Sequence, residues 1–221
     1  MTVFHVTSWR IAPGRAREVA QTAASAREIH HRHGFGASAW RGVVTGGDTA
    51  NLWYLLMSPD LGEHFAQAEG LEGDAEWQDL LATRIDTADA AATLRSSALW
   101  QTVTDLPEVV LIPSPISPRA QLVTGYAPMN PAQRGVFAAM AIRSGELLER
   151  QGLTIGFAEA VVAGERTGAV SAVVGAQSLP ALGAGLAALG TDHDWAAYQR
   201  EAAASADRPV LTTRTIRQEL V

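Results

Sequence analysis

The sequence contains no cysteine, which excludes disulfide bonds, thiolate metal sites and a cysteine nucleophile together. It also contains no lysine, so all 17 basic residues are arginines, and they form no basic cluster of the kind that nucleic-acid binding needs. No window of about 18 residues is free of charges and helix breakers, so we predict no membrane span. The N-terminus lacks the basic start and apolar run of a signal peptide, and we therefore expect a cytoplasmic protein.

What the sequence does contain is a self-similarity at a fixed offset of 118 residues. Gly34 corresponds to Gly152 at this offset, and the Asp-Ala-Glu-Trp motif that ends at Trp77 corresponds to the Asp-His-Asp-Trp motif that ends at Trp195. No gap is needed over about 84 residues, from about residue 3 to about residue 86. This pattern predicts a tandem duplication.

Each copy is predicted to have the element order βαββαβ, which is that of a ferredoxin-like unit. Two-residue periodicity, helical apolar spacing and turn residues place the elements. In the first copy these are a strand at 3–11, a helix at about 14–33, hairpin strands at 36–45 and 50–57, a helix beginning at Ser58-Pro59, and a strand at about 93–103. In the second copy they are a strand at 121–128, a helix at about 131–151, strands at 155–163 and 168–176, a helix, and a strand at about 209–219.

The predicted fold class is therefore α+β, with tandem ferredoxin-like repeats that form one pseudo-dimeric α/β barrel. Helices cover only one face of each sheet, and packing the two bare faces together would bury them both. We assign the first repeat to residues 1–103, a Pro-rich linker to 104–120 and the second repeat to 121–221. Residues Leu106–Ile112 could add an edge strand within the linker. Because fusion replaces dimerisation, we expect a monomer (a pseudo-dimer) or a homodimer.

The Trp9-Arg10-Ile11-Ala12-Pro13-Gly14 segment, the helix after it, the hairpin at Gly46-Gly47-Asp48 and the Trp77 motif resemble those of the dimeric α/β-barrel superfamily in a fused form. This superfamily includes antibiotic-biosynthesis monooxygenases and polyketide cyclases, and its two-copy members resemble the ring-opening oxygenases of angucycline pathways. The resemblance implies molecular oxygen as a reactant, with electrons from reduced flavin (FADH2 or FMNH2) or from a reduced quinoid substrate. The resemblance extends over nearly the whole chain in the order of helices and strands, but it does not match the catalytic residues of these enzymes one by one.

The two copies differ in their large and polar side chains. Five of the six Trp residues and five of the six His residues lie in the first copy, and the second copy has Ala or Ser at several of the matching positions. One interpretation is a single working pocket lined by the first copy. The alternative is drift, in which small residues of one copy merely balance large ones of the other.

His5 is the leading candidate for a catalytic base, because it shares one face of the first strand with Thr7 and Trp9 and because polyketide cyclases of this superfamily have a histidine early in this strand. We expect this face to point into the barrel. In the alternative it faces the helices, where His5, His30 and His64 would form a buried polar cluster or even a three-His metal site. The His31-Arg32-His33 segment has poor metal-ligand spacing and is predicted to lie on the surface.

The remaining site candidates are an arginine, a second histidine and four aromatic residues. Arg10 or Arg41 could stabilise an oxyanion, and His64 is included with His5 and Arg10 in the predicted catalytic set. Offset stacking on a flat ligand makes Trp9, Trp40, Tyr54 and Tyr126 the predicted substrate-binding residues. Trp77 and Trp195 match each other and are expected to be structural. We predict no metal site.

These observations favour an oxygenase that acts on an aromatic polyketide-type substrate, an anthrone or quinol, in natural-product biosynthesis. No dinucleotide-binding fingerprint is present, so we expect no tightly bound cofactor; reduced flavin and oxygen would be co-reactants and a flavin reductase a partner. Two alternatives stay open. One is a cofactor-free cyclase or isomerase that uses the same base, and the other is a small-molecule-binding protein without catalysis.

Overall fold

The structure, a computed structural model, describes residues 1–44, 50–103 and 119–220. The chain divides into two compact units. The first consists of Met1–Gln101 with two short segments, Val161–Ala163 and the C-terminal residues from Glu219, and the second consists of Thr102–Ala160 and Gly164–Gln218. The predicted turn at Gly46-Gly47-Asp48 and nearly all of the predicted linker, including the edge strand Leu106–Ile112, lie outside the described residues.

The first unit contains a four-stranded antiparallel sheet. Its strands, in chain order, are β1 (Val3–Ile11), β2 (Gly36–Val44), β3 (Asn51–Ser58) and β4 (Ala92–Thr102). They are hydrogen-bonded in the order β4-β1-β3-β2, with β1 paired to both β3 and β4. Three helices accompany the sheet, namely α1 (Ala16–Arg32), α2 (Leu61–Glu72) and α3 (Ala75–Leu80), and α3 continues into a π-helical turn at Leu81–Ile85.

The second unit has the same order of elements. Its strands are β5 (Ala120–Tyr126), β6 (Thr154–Val162), β7 (Val170–Ala176) and β8 (Leu211–Glu219), paired in the order β8-β5-β7-β6. Its helices are α4 (Pro131–Glu149), α5 (Leu179–Thr191) and α6 (His193–Ala204). In the described chain no helix is long and apolar enough to cross a membrane.

Local sequence explains where these helices begin. The Asn130 side chain caps α4 in a capping box with Gln133, and Pro131 follows at the first helical position, as is favourable for a residue without an amide hydrogen. The predicted start of α2 at Ser58-Pro59 is wrong, because this helix begins at Leu61. Ser58 is the last residue of β3, and the side chain of Asp60 accepts the hydrogen bond from the Glu63 amide instead.

Two helices follow β3 in the first unit and two follow β7 in the second, where the sequence predicted one helix in each place. The Asp74 carboxylate accepts hydrogen bonds from the amides of Glu76 and Trp77 and so begins α3, while Asp192 begins α6 in the same way. The repeated Asp-x-x-Trp motif is therefore a helix N-terminus, in which the Asp is the cap and the Trp lies three residues later.

The buried face of α1 is the one predicted from its apolar spacing. Val19, Ala23, Ala26, Ile29 and His30 are its buried residues, and they pack on the sheet with side chains of β3. The helix ends before Gly34, whose φ of 84° is the left-handed conformation that glycine adopts most readily. This helix forms one wall of the candidate site.

Candidate functional site

The side chains of His5, Thr7 and Trp9 lie on the sheet face that α1 covers. In the antiparallel register they neighbour Leu56, Tyr54 and Leu52 of β3, which also pack under the helix. The expectation that this face points away from the helices is therefore wrong, and the alternative holds. The sequence could not decide between the two faces of the strand, because both faces have apolar side chains. Val3 lies on one face and Phe4 on the other, and both are buried.

A cavity of about 200 Å³ lies between this sheet face and the helices of the first unit. Its walls come from β1, β3, the start of β4, α1, α3 and the π-helical turn. Apart from a few polar groups the lining is apolar and aromatic, as is usual for a small-molecule site. The lining residues are His5, Thr7, Trp9, Val19, Thr22, Ala23, Ala26, His30, Leu52, Tyr54, Leu56, Trp77, Leu81, Arg84, Ile85, Ala91 and Ala92.

Two substitutions between the copies help explain why the first unit has space here. At the offset of 118 residues, Val19 and Ala39 of the first unit correspond to Phe137 and Phe157 of the second. Phe137 and Phe157 pack edge to face with ring centroids 5.5 Å apart, and both are buried. Val19 lines the cavity, and the smaller side chains at these two positions leave more room than the phenylalanine rings do. This difference is the reverse of the asymmetry noted in the sequence, in which the larger side chains belong to the first copy.

His5 lies in the cavity wall with one ring nitrogen bonded and the other available. Its Nε2 is 2.7 Å from the Ser97 hydroxyl, while Nδ1 has no hydrogen-bond partner in the described chain. Burial, and secondarily the charge of nearby His64, lower the pKa of His5. The imidazole is consequently neutral at neutral pH and able to accept a proton.

His64 is a second buried histidine, whose ring packs edge to face on that of His5 with centroids 5.6 Å apart. The Ser58 hydroxyl donates to Oε1 of the Gln67 side chain at 2.7 Å, so it accepts from His64 Nδ1, 3.2 Å away. This arrangement places the proton of the neutral ring on Nδ1. Burial lowers the pKa of His64, which keeps the ring uncharged beside His5.

His30 and Tyr54 form a hydrogen-bonded pair that lines the cavity. His30 Nδ1 is 2.5 Å from the Ala26 carbonyl oxygen, so Nδ1 carries the proton and donates it. Burial lowers the pKa of His30 to about 4, and the ring is neutral. The Tyr54 oxygen lies 3.0 Å from the same Nδ1 and acts there as an acceptor, which leaves the phenolic hydrogen free to donate into the cavity. Burial raises the pKa of Tyr54, so it stays protonated.

Aromatic side chains form much of the remaining wall. Trp9 is held by its indole nitrogen, which donates to the Thr7 hydroxyl at 2.8 Å, and Thr7 in turn donates to the Tyr54 carbonyl oxygen. Trp77, from α3, packs its ring 4.7 Å from that of His30. Flat ring faces of this kind favour a planar aromatic ligand through offset or edge-to-face contacts.

Of the seven predicted site residues, the structure brings His5, Trp9 and Tyr54 together in the cavity wall and places His64 directly behind His5. The other three do not line the cavity. Arg10 is exposed on the opposite side of β1, and Trp40 is buried on the opposite face of β2, where its indole nitrogen donates to Ser38. Tyr126 belongs to the second unit, where it packs on Phe137.

Trp77 and Arg84 are among the lining residues that are absent from the set predicted from sequence. Trp77 is expected to be structural because Trp195 occupies the matching position, yet its side chain lines the cavity. Arg84 gives no signal in the sequence, because its position depends on the π-helical turn at Leu81–Ile85. Arg41, the second arginine proposed for an oxyanion, is exposed and does not line the cavity.

The histidines do not form a metal site. Within residues 1–44, 50–103 and 119–220, no group of three or more His, Asp or Glu side chains is arranged to hold a metal ion. The alternative of a three-His metal centre at His5, His30 and His64 thus lacks the required geometry. His31 is exposed, as predicted, whereas His33 is only partly exposed and forms a pair with Asp74 at 2.8 Å; neither lines the cavity.

Comparison with known proteins identifies the fold. No family model and no curated protein sequence matches the chain. Among solved structures it is similar to a provisionally assigned monooxygenase of Fusobacterium nucleatum subsp. nucleatum, with 10% identity, a TM-score of 0.60 and coverage of 100% of this chain and 93% of the other. It is also similar to a provisionally assigned monooxygenase of Lactobacillus acidophilus NCFM, with 7% identity, a TM-score of 0.57 and coverage of 100% and 94%.

A third similar structure is that of an anthrone oxidase-like protein, with 14% identity, a TM-score of 0.56 and coverage of 99% of this chain and 93% of the other. At such identities the likeness shows the fold. The chain shares the mixed α+β fold of these structures, with eight strands in the described residues, and this is the fold expected from the resemblance seen in the sequence.

Proposed function

We propose that the first-unit cavity is the active site of an oxygenase that oxidises a small phenolic or anthrone-type aromatic substrate with molecular oxygen. The observation that carries this proposal is the combination of a neutral, half-buried imidazole and a protonated phenol on the wall of one apolar, aromatic-lined cavity. The three structural relatives, two assigned as monooxygenases and one as anthrone oxidase-like, support oxygen chemistry on this fold.

The first step that we propose is removal of a substrate proton by His5. Nδ1 accepts the proton from the activated C–H group, while Nε2 donates to Ser97, which orients the ring. The electron pair left behind delocalises onto the substrate oxygen as an enolate or phenolate. The Tyr54 hydroxyl donates a hydrogen bond to that oxygen, and the largely apolar lining around it strengthens the interaction.

The electron-rich anion then reduces oxygen directly. One electron passes from the anion to O2, the resulting radical pair forms a carbon–oxygen bond, and the protonated His5 returns its proton to give a hydroperoxide. Loss of the second proton from the same carbon breaks the O–O bond, which yields a carbonyl group and one water molecule. The balance is one CH2 group and one O2 converted to one C=O group and one H2O. An apolar cavity protects the peroxide from water.

A reduced flavin does not fit the same site. The volume of about 200 Å³ is below the roughly 300–1,000 Å³ typical of sites for drug-sized ligands, which favours one small aromatic ligand over an isoalloxazine and a substrate together. The lining also contains one arginine and no glycine-rich turn for a phosphate. We therefore assign the electrons to the substrate, and the proposed reaction needs no flavin and no flavin reductase.

The test is oxygen uptake by the purified protein with anthrone as substrate and no added cofactor. We expect one O2 consumed for each anthraquinone formed, at a rate well above that of anthrone in buffer. Conversion of a substrate without oxygen uptake would instead favour the cyclase or isomerase alternative. Absence of any conversion, with ligand binding retained, would favour a binding protein and contradict the proposal.

A further inference from the structure

The cavity wall contains a single permanently charged side chain among its described residues, that of Arg84. His5 and His30 are neutral, because burial lowers the pKa of both. The Arg84 side chain is 56% exposed, so part of it lines the cavity and part contacts solvent. A ligand ring held inside would present its outer edge to this cation.

The guanidinium of Arg84 is only loosely engaged by protein groups. Its Nη1 lies 3.8 Å from Glu18 Oε1. Glu18 is already held by Arg15, whose Nε and Nη2 donate to the two carboxylate oxygens at 2.7 and 2.9 Å. Arg15 therefore satisfies most of the Glu18 charge. A planar, five-donor guanidinium with one distant partner is well suited to receive a further carboxylate.

Resting on the proposed function, we infer that the natural substrate is an aromatic acid whose carboxylate binds Arg84 while its ring lies in the cavity. Arg84 is then the residue that determines specificity for the anionic group. The protein has a net charge of −6 and therefore repels anions over most of its surface. A local cation beside the cavity would attract an anionic ligand to this site in particular.

The experiment compares two probes of nearly equal shape, 2-naphthoate and its neutral amide, 2-naphthamide, by isothermal titration calorimetry at low ionic strength. The wild-type protein should bind the carboxylate about fivefold more tightly than the amide, as expected for a partly exposed ion pair. Arg84→Gln should abolish this preference and leave the affinity for the amide unchanged. Arg17→Gln removes the same charge from an exposed position of α1 outside the cavity and should retain the preference.

The outcomes separate this inference from the proposed function. Equal affinity for both probes, or a carboxylate preference that survives in Arg84→Gln, would overturn the role of Arg84 and leave the cavity as a site for neutral aromatics. Failure of the wild-type protein to bind either probe would contradict both proposals together. Because the readout is binding, the result does not depend on whether oxidation is observed.

Discussion

Val19→Phe should strongly weaken ligand binding in the cavity and slow the reaction there, while the protein remains folded. The substitution copies Phe137, the residue at the matching position of the second unit, and its ring would fill space that the ligand needs. Forcing a ligand into an already filled site costs about 1–3 kcal/mol, which corresponds to roughly 10- to 100-fold weaker binding of 2-naphthamide. Oxygen uptake with anthrone should fall to a similar extent.

Stability distinguishes this effect from misfolding. The added ring buries apolar surface in an existing cavity, so we expect about 1 kcal/mol of extra stability and a melting temperature about 2–4 °C higher. Gln21→Phe places the same ring on the exposed side of α1 and should bind normally. Normal binding and oxygen uptake by a stable Val19→Phe protein would show that the ligand lies elsewhere.

His5→Ala should lower kcat by about 100- to 10,000-fold, the usual contribution of a general base, with little change in the affinity for 2-naphthamide. The pH profile gives a second readout. Because burial lowers the pKa of His5, the base stays unprotonated below its usual pKa of about 6.5. Activity should therefore be retained as pH falls through 6.5 and be lost only below the lowered value.

The control for this substitution is His31→Ala, which removes an exposed histidine outside the cavity and should leave both kcat and the pH profile unchanged. If His5→Ala kept wild-type kcat, another group would be the base. If it lost affinity while kcat stayed at the wild-type value, His5 would contribute to binding alone.

Much of the fold could be predicted from patterns along the chain, because apolar spacing and turn residues are local signals. The order of elements and the buried face of α1 are examples. The duplication itself, the role of the linker and the packing of one sheet on the other stay predictions. The sequence does not predict the division of the second helix of each repeat into two helices. Asp74 and Asp192 are the caps that begin the additional helices, but an Asp is also common on the exposed face of a continuous helix, so its presence alone does not predict a new helix start.

The site was less accessible to sequence reasoning, because it depends on which strand face meets the helices. The chemistry of His5, Trp9 and Tyr54 marks them as site residues and they do meet, but on the face opposite to the expected one. Arg10 is predicted as a catalytic residue from its charge. Because side chains alternate along a strand, it lies on the face of β1 opposite to His5 and Trp9. Arg84 belongs to the cavity only through the path of the π-helical turn, which no periodicity marks.

The most direct test of the central claim is a crystal structure of the protein with anthraquinone, the proposed product. We expect electron density for the ring system in the first unit, between α1 and the sheet, with one carbonyl oxygen within hydrogen-bonding distance of the Tyr54 hydroxyl and the carbon nearest His5 facing Nδ1. Density for the ligand at another place, with the space beside Val19 and Trp77 unoccupied, would contradict it.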